Sequence, residues 1–257
     1  MKIALIGHGK MGQFIESLAR EAGDEIVLIV DEHNRAEITA QELAAADVAI
    51  EFTRPESAIA NIDLALEAGV PIVVGTTGWL AELPSVSEWV QAARGGLFWA
   101  SNFSIGVNVF FAVAERAAEL VNRYGGYRAG IEEIHHEQKL DAPSGTGITL
   151  AERVGGRLDD YDSWALSEVK SNVPQTRIAP ATPPENGKEP VPISSVRTSG
   201  VPGTHTLELS SGVDTLSLQH TAHSREGFAT GALTAARWLV GKRGVFTMTD
   251  LLETRTV

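Results

Sequence analysis

The residues best suited to chemistry crowd into one stretch, 133–147, which reads E-I-H-H-E-Q-K-L-D-A-P-S-G-T-G. His135 and His136 close an apolar-alternating run that reads as a strand from residue 127. Lys139 follows in a polar loop, and Pro143 restricts Ala142 to an extended conformation. From Ser144 the pattern turns helical, with Ile148, Leu150, Ala151 and Val154 able to share one face. Ser144 is an N-cap candidate, and Gly145 and Thr146 would then offer backbone N–H groups at a helix start. Such a start attracts anions through those N–H groups and the positive end of the helix dipole. The stretch thus combines a proton donor, a cation and an anion nest. A small carboxylate substrate that must gain a proton would use all three. Taken singly, each residue has a simpler reading, since adjacent strand histidines point to opposite faces and a loop lysine is usually solvated. The constellation, followed by an N-cap signature, reads as a site.

The surrounding composition narrows the class. The chain has 257 residues, enough for one large domain or two modest ones, and 43% apolar content, ordinary for a globular protein. Its net charge of −12 argues against nucleic acid as a partner. The absence of cysteine removes disulfides, thiol nucleophiles and zinc–thiolate or iron–sulfur sites. The opening apolar run is too short for a signal peptide and breaks at Gly7, and no run approaches the ~18 residues of a membrane span. A cytoplasmic protein without a membrane segment is expected. No carboxylate–histidine spacing matches a metal-ligand pattern, so no metal is expected.

The N-terminal third supplies a second motif. Residues 2–6 read as a buried parallel strand, followed by Gly7-His8-Gly9-Lys10-Met11-Gly12 and a helix carrying Phe14, Ile15, Leu18, Ala19 and Ala22 on one side. A second strand over 25–30 ends at Asp31, close to the ~20-residue offset at which an acidic residue bonds a ribose hydroxyl. A lone G-x-G-x-x-G is weak, but in strand–loop–helix–strand–Asp order it is a dinucleotide fingerprint. The βα alternation continues through strands over 47–52, 70–74 and 97–100. Cofactors in open α/β sheets bind at the carboxyl ends of strands. That places Phe52, Thr53 and Arg54, then Gly75, Thr76 and Thr77, then Ser101, Asn102, Phe103 and Ser104, near the dinucleotide. Asp31 favours NADH, because a carboxylate repels a 2′-phosphate. Lys10, His33, Arg35 and Arg54 are cations that would accept NADPH, so NADH, NADPH or both remain open as cofactors.

Residues 105–124 form a long amphipathic helix with Val109, Val113, Ala117 and Leu120 among its apolar positions, stopped by Gly125 and Gly126. The segment 157–192 is polar and carries Pro174, Pro180, Pro183, Pro184 and Pro190, and reads as a long loop excursion. Strands over 193–198, 204–210 and 215–222 join 127–135 in a mixed, mainly antiparallel sheet with one polar face. His205, His220 and His223 read as hydrogen-bonded or solvent-facing, and Ser144 as a cap and not a nucleophile. A helix over 225–240 returns to the first domain. The fold class is therefore α/β, a Rossmann-like N-terminal domain plus an α+β domain. The boundaries are 1–105 with 223–257 for dinucleotide binding, and 106–222 for substrate binding and oligomerisation.

In its ordered series of motifs the chain resembles the dihydrodipicolinate reductase (4-hydroxy-tetrahydrodipicolinate reductase) family of lysine and diaminopimelate synthesis. The resemblance spans essentially the whole chain. Its most specific piece is His135-His136-x-x-Lys139-x-Asp141-Ala142-Pro143-Ser144-Gly145-Thr146. The N-terminal Gly-rich loop, Phe52-Thr53-x-Pro55, Gly75-Thr76-Thr77-Gly78, Ser101-Asn102-Phe103-Ser104 and His220-x-Ala222-x-x-Arg225 also fit. The resemblance implies reduction of a cyclic imine dicarboxylate by NADH or NADPH. It implies His135 as proton donor, Lys139 as the cation for a carboxylate or developing charge, and His136, Ser144, Gly145 and Thr146 as carboxylate binders. It further implies a homotetramer, with hinges near 104–106 and 222–225. Glu51 departs from the Asp that the family often carries there. Two rivals remain. Another nicotinamide-dependent amino-acid or semialdehyde dehydrogenase of this build would share the fingerprint but lack the His-His-x-x-Lys…Ser-Gly-Thr segment. A silent dinucleotide sensor would need neither donor nor nest.

Overall fold

A computed structural model describes residues 1–171, 177–180, 183, 187–224 and 226–254. Pro174, Pro184 and Arg225, which figure in the expectations above, lie outside them. The chain divides into two compact units, Met1–Asn108 with Glu226–Val257, and Val109–Arg225.

The first unit alternates β1 (Lys2–Ile6), α1 (Lys10–Glu21), β2 (Glu25–Val30), α2 (Ala40–Leu43), β3 (Val48–Glu51), α3 (Pro55–Glu67), β4 (Ile72–Val74), α4 (Leu83–Ala92) and β5 (Gly96–Trp99). Its sheet is wholly parallel. Period-two alternation sends Ile3, Leu5, Val48, Ile50 and Val73 into one core and Ala4, Ile6, Ala49, Ile72 and Val74 into the other. Both faces are covered, which is why these strands read as continuous apolar runs. The helix α4, after a 3₁₀ turn, went unrecognised in the sequence.

In the second unit α5 (Ile105–Asn122) leads into β6 (Arg128–His135), β7 (Asp141–Ala142), α6 (Gly145–Gly155), β8 (Tyr161–Lys170), β9 (Arg177–Ile178), β10 (Glu189–Arg197), β11 (Gly203–Ser210) and β12 (Thr215–Ala222). Then α7 (Glu226–Leu239), β13 (Gly244–Phe246) and α8 (Met248–Glu253) belong to the first unit, where β13 completes the order β13-β5-β4-β3-β1-β2.

Two expectations for the second unit need correcting, and one left open is settled. The sheet has the order β12-β11-β6-β10-β8. It is mixed, but evenly so: β12-β11 and β11-β6 are antiparallel, β6-β10 and β10-β8 parallel. The expected loop over 157–192 contains β8 and the start of β10. Pro190 and Pro192 are tolerated because β10 pairs with β6 only from Ile193 onward, so one side of the strand has no ladder to break there. Finally, α5 buries Val107, Phe110, Phe111, Ala114, Ala118 and Val121, whereas Val109, Val113 and Leu120 are exposed. The helix is apolar on two sides, so periodicity alone did not choose the inward one.

Close packing in the first unit depends on glycines, and two in α7 show the contrast. A Cβ at Gly231 of α7 would overlap the carbonyl oxygen of Phe103, whereas one at Gly227 would stand 3.7 Å from the Ser104 hydroxyl, an ordinary contact. We expect Gly231→Ala to lower the unfolding free energy by about 3 kcal/mol, the upper part of the overpacking range. Gly227→Ala should leave it unchanged or slightly raised. Urea titration measures both, and equal midpoints for the two variants would contradict this packing.

Candidate active site

The fingerprint loop shapes a cavity of about 460 Å³ at the carboxyl ends of β1, β2 and β3. Gly7, His8, Gly9, Asp31, Phe52, Thr53 and Arg54 line it, together with Glu32, His33, Arg35 and Asn61. Each glycine of the motif has its own reason. Gly7 adopts φ +96° and runs against the backbone of Phe52. A Cβ at Gly9 would meet nothing within 4 Å, so a ligand can approach that turn. A Cβ at Gly12 would overlap the Gly7 carbonyl, so that glycine serves the packing of helix against turn. This cradle fits a dinucleotide: a bare turn opens onto a helix start, with a carboxylate at the end of the next strand.

The charges around the cavity are already engaged. Asp31 Oδ1 accepts from the His33 amide at 2.8 Å. Arg35 Nε donates to Asn61 Oδ1 at 2.7 Å and its Nη2 to the Ala60 carbonyl at 3.0 Å. Arg54 pairs with Glu32 at 3.5 Å, and His8 Nε2 lies 2.7 Å from Glu16. Glu51 is fully buried, and burial pushes its carboxyl pKa up against the hydrogen bonds of Thr53, Thr76 and Asn61. It ties the ends of β3 and β4 together beneath the cavity, a role the sequence did not suggest.

The other cofactor candidates do not line this cavity. Lys10 is exposed, while Met11 packs on the core. Gly75 gives way to the Phe52 ring, Thr76 Oγ1 accepts from the Thr53 amide at 2.7 Å, and Thr77 is exposed. Ser101 is exposed; Asn102 Oδ1 accepts from the Ser104 amide at 2.9 Å. The Phe103 side chain is 2% exposed and packs among Phe52 and Phe98. A large ring after a buried strand satisfies the core before it reaches a ligand.

In the second unit the inward face of the sheet changes character along its length. Ile131, Ile193 and Leu207 form one cross-strand row and are buried core. The next row is Glu133, Ser195 and His205, and beyond it His135 is paired with Arg197. All five are buried. Glu133 Oε1 accepts from Arg197 Nη2 at 2.8 Å, Ser195 Oγ at 2.7 Å and the Ser144 amide at 3.3 Å. Its Oε2 lies 2.5 Å from His135 Nδ1. Burial alone would raise the Glu133 pKa, but His135, Ser195 and Arg197 together hold it well below the usual carboxylate range.

Arg197 also organises the loop. It donates to the carbonyls of Asp141 at 2.5 Å and Lys139 at 3.3 Å, which brings that turn beside His135. The Lys139 ammonium is held by both carboxylate oxygens of Asp141, at 2.9 and 2.8 Å. Any other carboxylate that meets this ammonium competes with Asp141. His136 follows the end of β6 and is partly buried. Ser144 caps α6, accepting from the Gly147 amide at 3.0 Å, and its hydroxyl faces His205 Nε2 at 3.0 Å. Thr146 lies in the first turn of α6, and Gly145 has open space where a Cβ would be.

Glu133, Ser195, Arg197 and His205 escaped the sequence reading. The alternation of β6 alone puts Glu133 on the side of His135, but no local signal brings β10 and β11 to it. His205 is hydrogen-bonded, as expected, and its partner is Ser144. Ligand-type atoms of Glu133, His135 and His205 lie within 4.8 Å of one another. The guanidinium of Arg197 already supplies a positive charge against Glu133.

A parallel sheet with a dinucleotide cradle, joined to a mixed sheet carrying histidines at a capped helix start, defines a nicotinamide-dependent oxidoreductase. Residues 1–103 match the family model for the N-terminus of dihydrodipicolinate reductase, and residues 106–252 that for its C-terminus. The chain belongs to the dihydrodipicolinate reductase family. It is 39% identical over 254 residues to the 4-hydroxy-tetrahydrodipicolinate reductase of Christiangramia forsetii, covering 98% of both chains. It is 34% identical over 274 residues to that of Ralstonia nicotianae, covering 98% of this chain and 99% of the other. Among solved structures it is similar to a dipicolinate-bound dihydrodipicolinate reductase from Paenisporosarcina sp. TG-14, with TM-score 0.75 and 24% identity over 96% and 97% of the two chains. An amine dehydrogenase from Mycobacterium smegmatis shares the fold at TM-score 0.59 and 12% identity, over 97% and 95%.

His205 gives the site a pH signature. Burial first, then the neighbouring His135, pushes its pKa down to about 3. The unfolded chain takes up this proton near pH 6.5 and the folded chain does not, so stability is full above 6.5 and falls as pH drops toward 3. The expected slope is about 1.4 kcal/mol per pH unit between pH 6 and 4.5, before Glu133 contributes. His205→Gln should flatten that arm in urea titrations; an unchanged slope would refute a neutral buried His205.

Proposed function

We propose that the chain reduces 4-hydroxy-tetrahydrodipicolinate to tetrahydrodipicolinate with NADH or NADPH, a step of lysine and diaminopimelate synthesis. The observation that carries this reading is the buried face on which His135, the Lys139 loop and the capped start of α6 meet, in a chain of this family. The first unit is the dinucleotide-binding domain, with Gly7, Gly9 and Asp31 holding the pyrophosphate turn and the ribose. Bound NADH or NADPH supplies the hydride. Addition to a conjugated imine leaves an enamine-like anion that must take a proton, and His135 gives it, an imidazolium–imidazole couple being suited to that task near neutral pH.

The second unit binds the substrate. Lys139, released from Asp141, meets one carboxylate. His136, Ser144, Gly145 and Thr146 hold carboxylate oxygens at the positive end of α6. Asp141 keeps the ammonium neutralised until a dicarboxylate arrives, which disfavours singly charged amines and aldehydes. The protein works in the cytoplasm as a homotetramer. Among the described residues no helix is long and apolar enough to cross a membrane. The exposed Val109, Val113 and Leu120 on α5 and Leu216 on β12 give apolar surface for contacts between copies.

Enzymatically generated substrate, assayed with NADH and NADPH in parallel at the nicotinamide absorbance, tests the activity. His135→Gln should lower kcat by about 100-fold or more with little change in cofactor affinity. Lys139→Ala should lose both substrate affinity and rate. Near-normal kcat for the first, or unchanged kcat/KM for the second, would remove those roles. Light scattering after size exclusion should give the mass of four copies, and a monomer mass would end the tetramer.

A further inference from the structure

The buried face sets one ring nitrogen of His135 against a carboxylate and the other against a glycine. Its Nδ1 lies 2.5 Å from Glu133 Oε2. Its Nε2 faces Gly203, where a Cβ would stand only 3.1 Å away. Glu133 is 0% exposed, and its other oxygen is engaged by Arg197, Ser195 and the Ser144 amide. An ionised carboxylate only accepts hydrogen bonds. The nitrogen beside it must therefore carry a proton, or two lone pairs would be pressed together inside the protein. Arg197, whose side chain is also 0% exposed, sets a fixed positive charge against the same carboxylate. His205 does not compete for Nδ1, because its Nε2 is taken by Ser144.

We propose that Glu133 is a positioning residue that holds His135 as the Nδ1–H tautomer, so that the proton delivered to substrate leaves from Nε2. Gly203 leaves that nitrogen uncovered. This rests on the reductase reading above and adds the atom and the residues that select it. In the step, the Nε2–H bond of the imidazolium breaks and a bond to hydrogen forms on the ring left anionic by hydride addition. Both electrons of the reduction come from the nicotinamide. His135 is left neutral, with its remaining proton on Nδ1 against Glu133, and water restores the proton on Nε2. Ser144 shares the same carboxylate through its amide, so one acid sets both the donor's orientation and the position of the helix cap.

Nitrogen-15 spectra of histidine-labelled protein read the tautomer directly, with the His135 signals identified by their loss in His135→Gln. In the wild-type protein, where imidazole is neutral, Nδ1 should be the protonated nitrogen and Nε2 the bare one; the reverse would overturn the proposal. In Glu133→Gln the amide oxygen can keep Arg197 and Ser195 while its NH2 faces Nδ1, which inverts the tautomer. There kcat should fall about 100-fold while KM for substrate and cofactor stays within roughly threefold. A folded Glu133→Gln protein with the tautomer unchanged, or with kcat unchanged, would reduce Glu133 to a packing role. Should that variant not fold, Gly203→Ala decides: a Cβ against Nε2 should lower kcat about tenfold and leave the tautomer as it is. Unaltered kcat would show that Nε2 is not the delivering atom. A wild-type protein inactive on the dicarboxylate would sink the reductase reading, and the spectra would still report the tautomer by themselves.

Discussion

The second unit depends on one ion pair shut away from water, that of Glu133 with Arg197. Removing two charges from solvent is expensive, and such a pair stabilises only when its remaining donors and acceptors are met. Here they are. The carboxylate receives Arg197, Ser195 and the Ser144 amide and faces His135, while the guanidinium also reaches two loop carbonyls. Breaking such a pair by removing one partner costs about 3–5 kcal/mol. A looser arrangement of β6, β10 and the 136–144 segment would leave one of these groups unpartnered, and that is what holds a loop and a helix start in register with a sheet.

The pair also explains where the apolar core stops. Along β6 the inward residues run Ala129, Ile131, Glu133, His135; along β10 they run Val191, Ile193, Ser195, Arg197. The same face is hydrocarbon at one end and polar at the other. The hydrocarbon end anchors the strands against α6, whose Leu150, Ala151 and Val154 are fully buried. The polar end then inherits a rigid backbone, which a site needs when a displacement of about 1 Å in the reacting groups is costly. The two units solve the same problem by different means. In the first, backbone turns and missing side chains make room for a cofactor; in the second, side chains converge.

Legibility followed that difference. The Gly-rich turn is local, and its reasons at Gly7, Gly9 and Gly12 were readable because each concerns the next few residues and one neighbouring strand. The N-cap at Ser144 was readable for the same reason. What the sequence did not show is that Phe103 and Gly75 both pack against Phe52, because an aromatic ring and its neighbours resolve their contacts inside the core. The apolar positions of α5 had the right period but no direction, since period alone says nothing about which side meets the rest of the chain. β8 escaped notice because a polar edge strand and a polar loop have similar compositions.

The sequence by itself determined the fold class, the βα alternation from β1 to β5 except for α4, the dinucleotide fingerprint, the helix cap and the stretch that carries His135 and Lys139. These rest on spacing within a few turns of chain, where geometry is set by neighbours along the backbone. Only the tertiary structure decided that Glu133 and not solvent meets His135, that Arg197 and Ser195 lie beside it, that His205 backs Ser144 and that Asp141 holds Lys139. Those partners come from strands sixty or so positions apart, or from a side-chain choice within a loop, as the 2.8 Å contact between Glu133 and Arg197 illustrates. Register between distant strands is chosen by the summed burial of whole faces, a sum that no short window of residues contains.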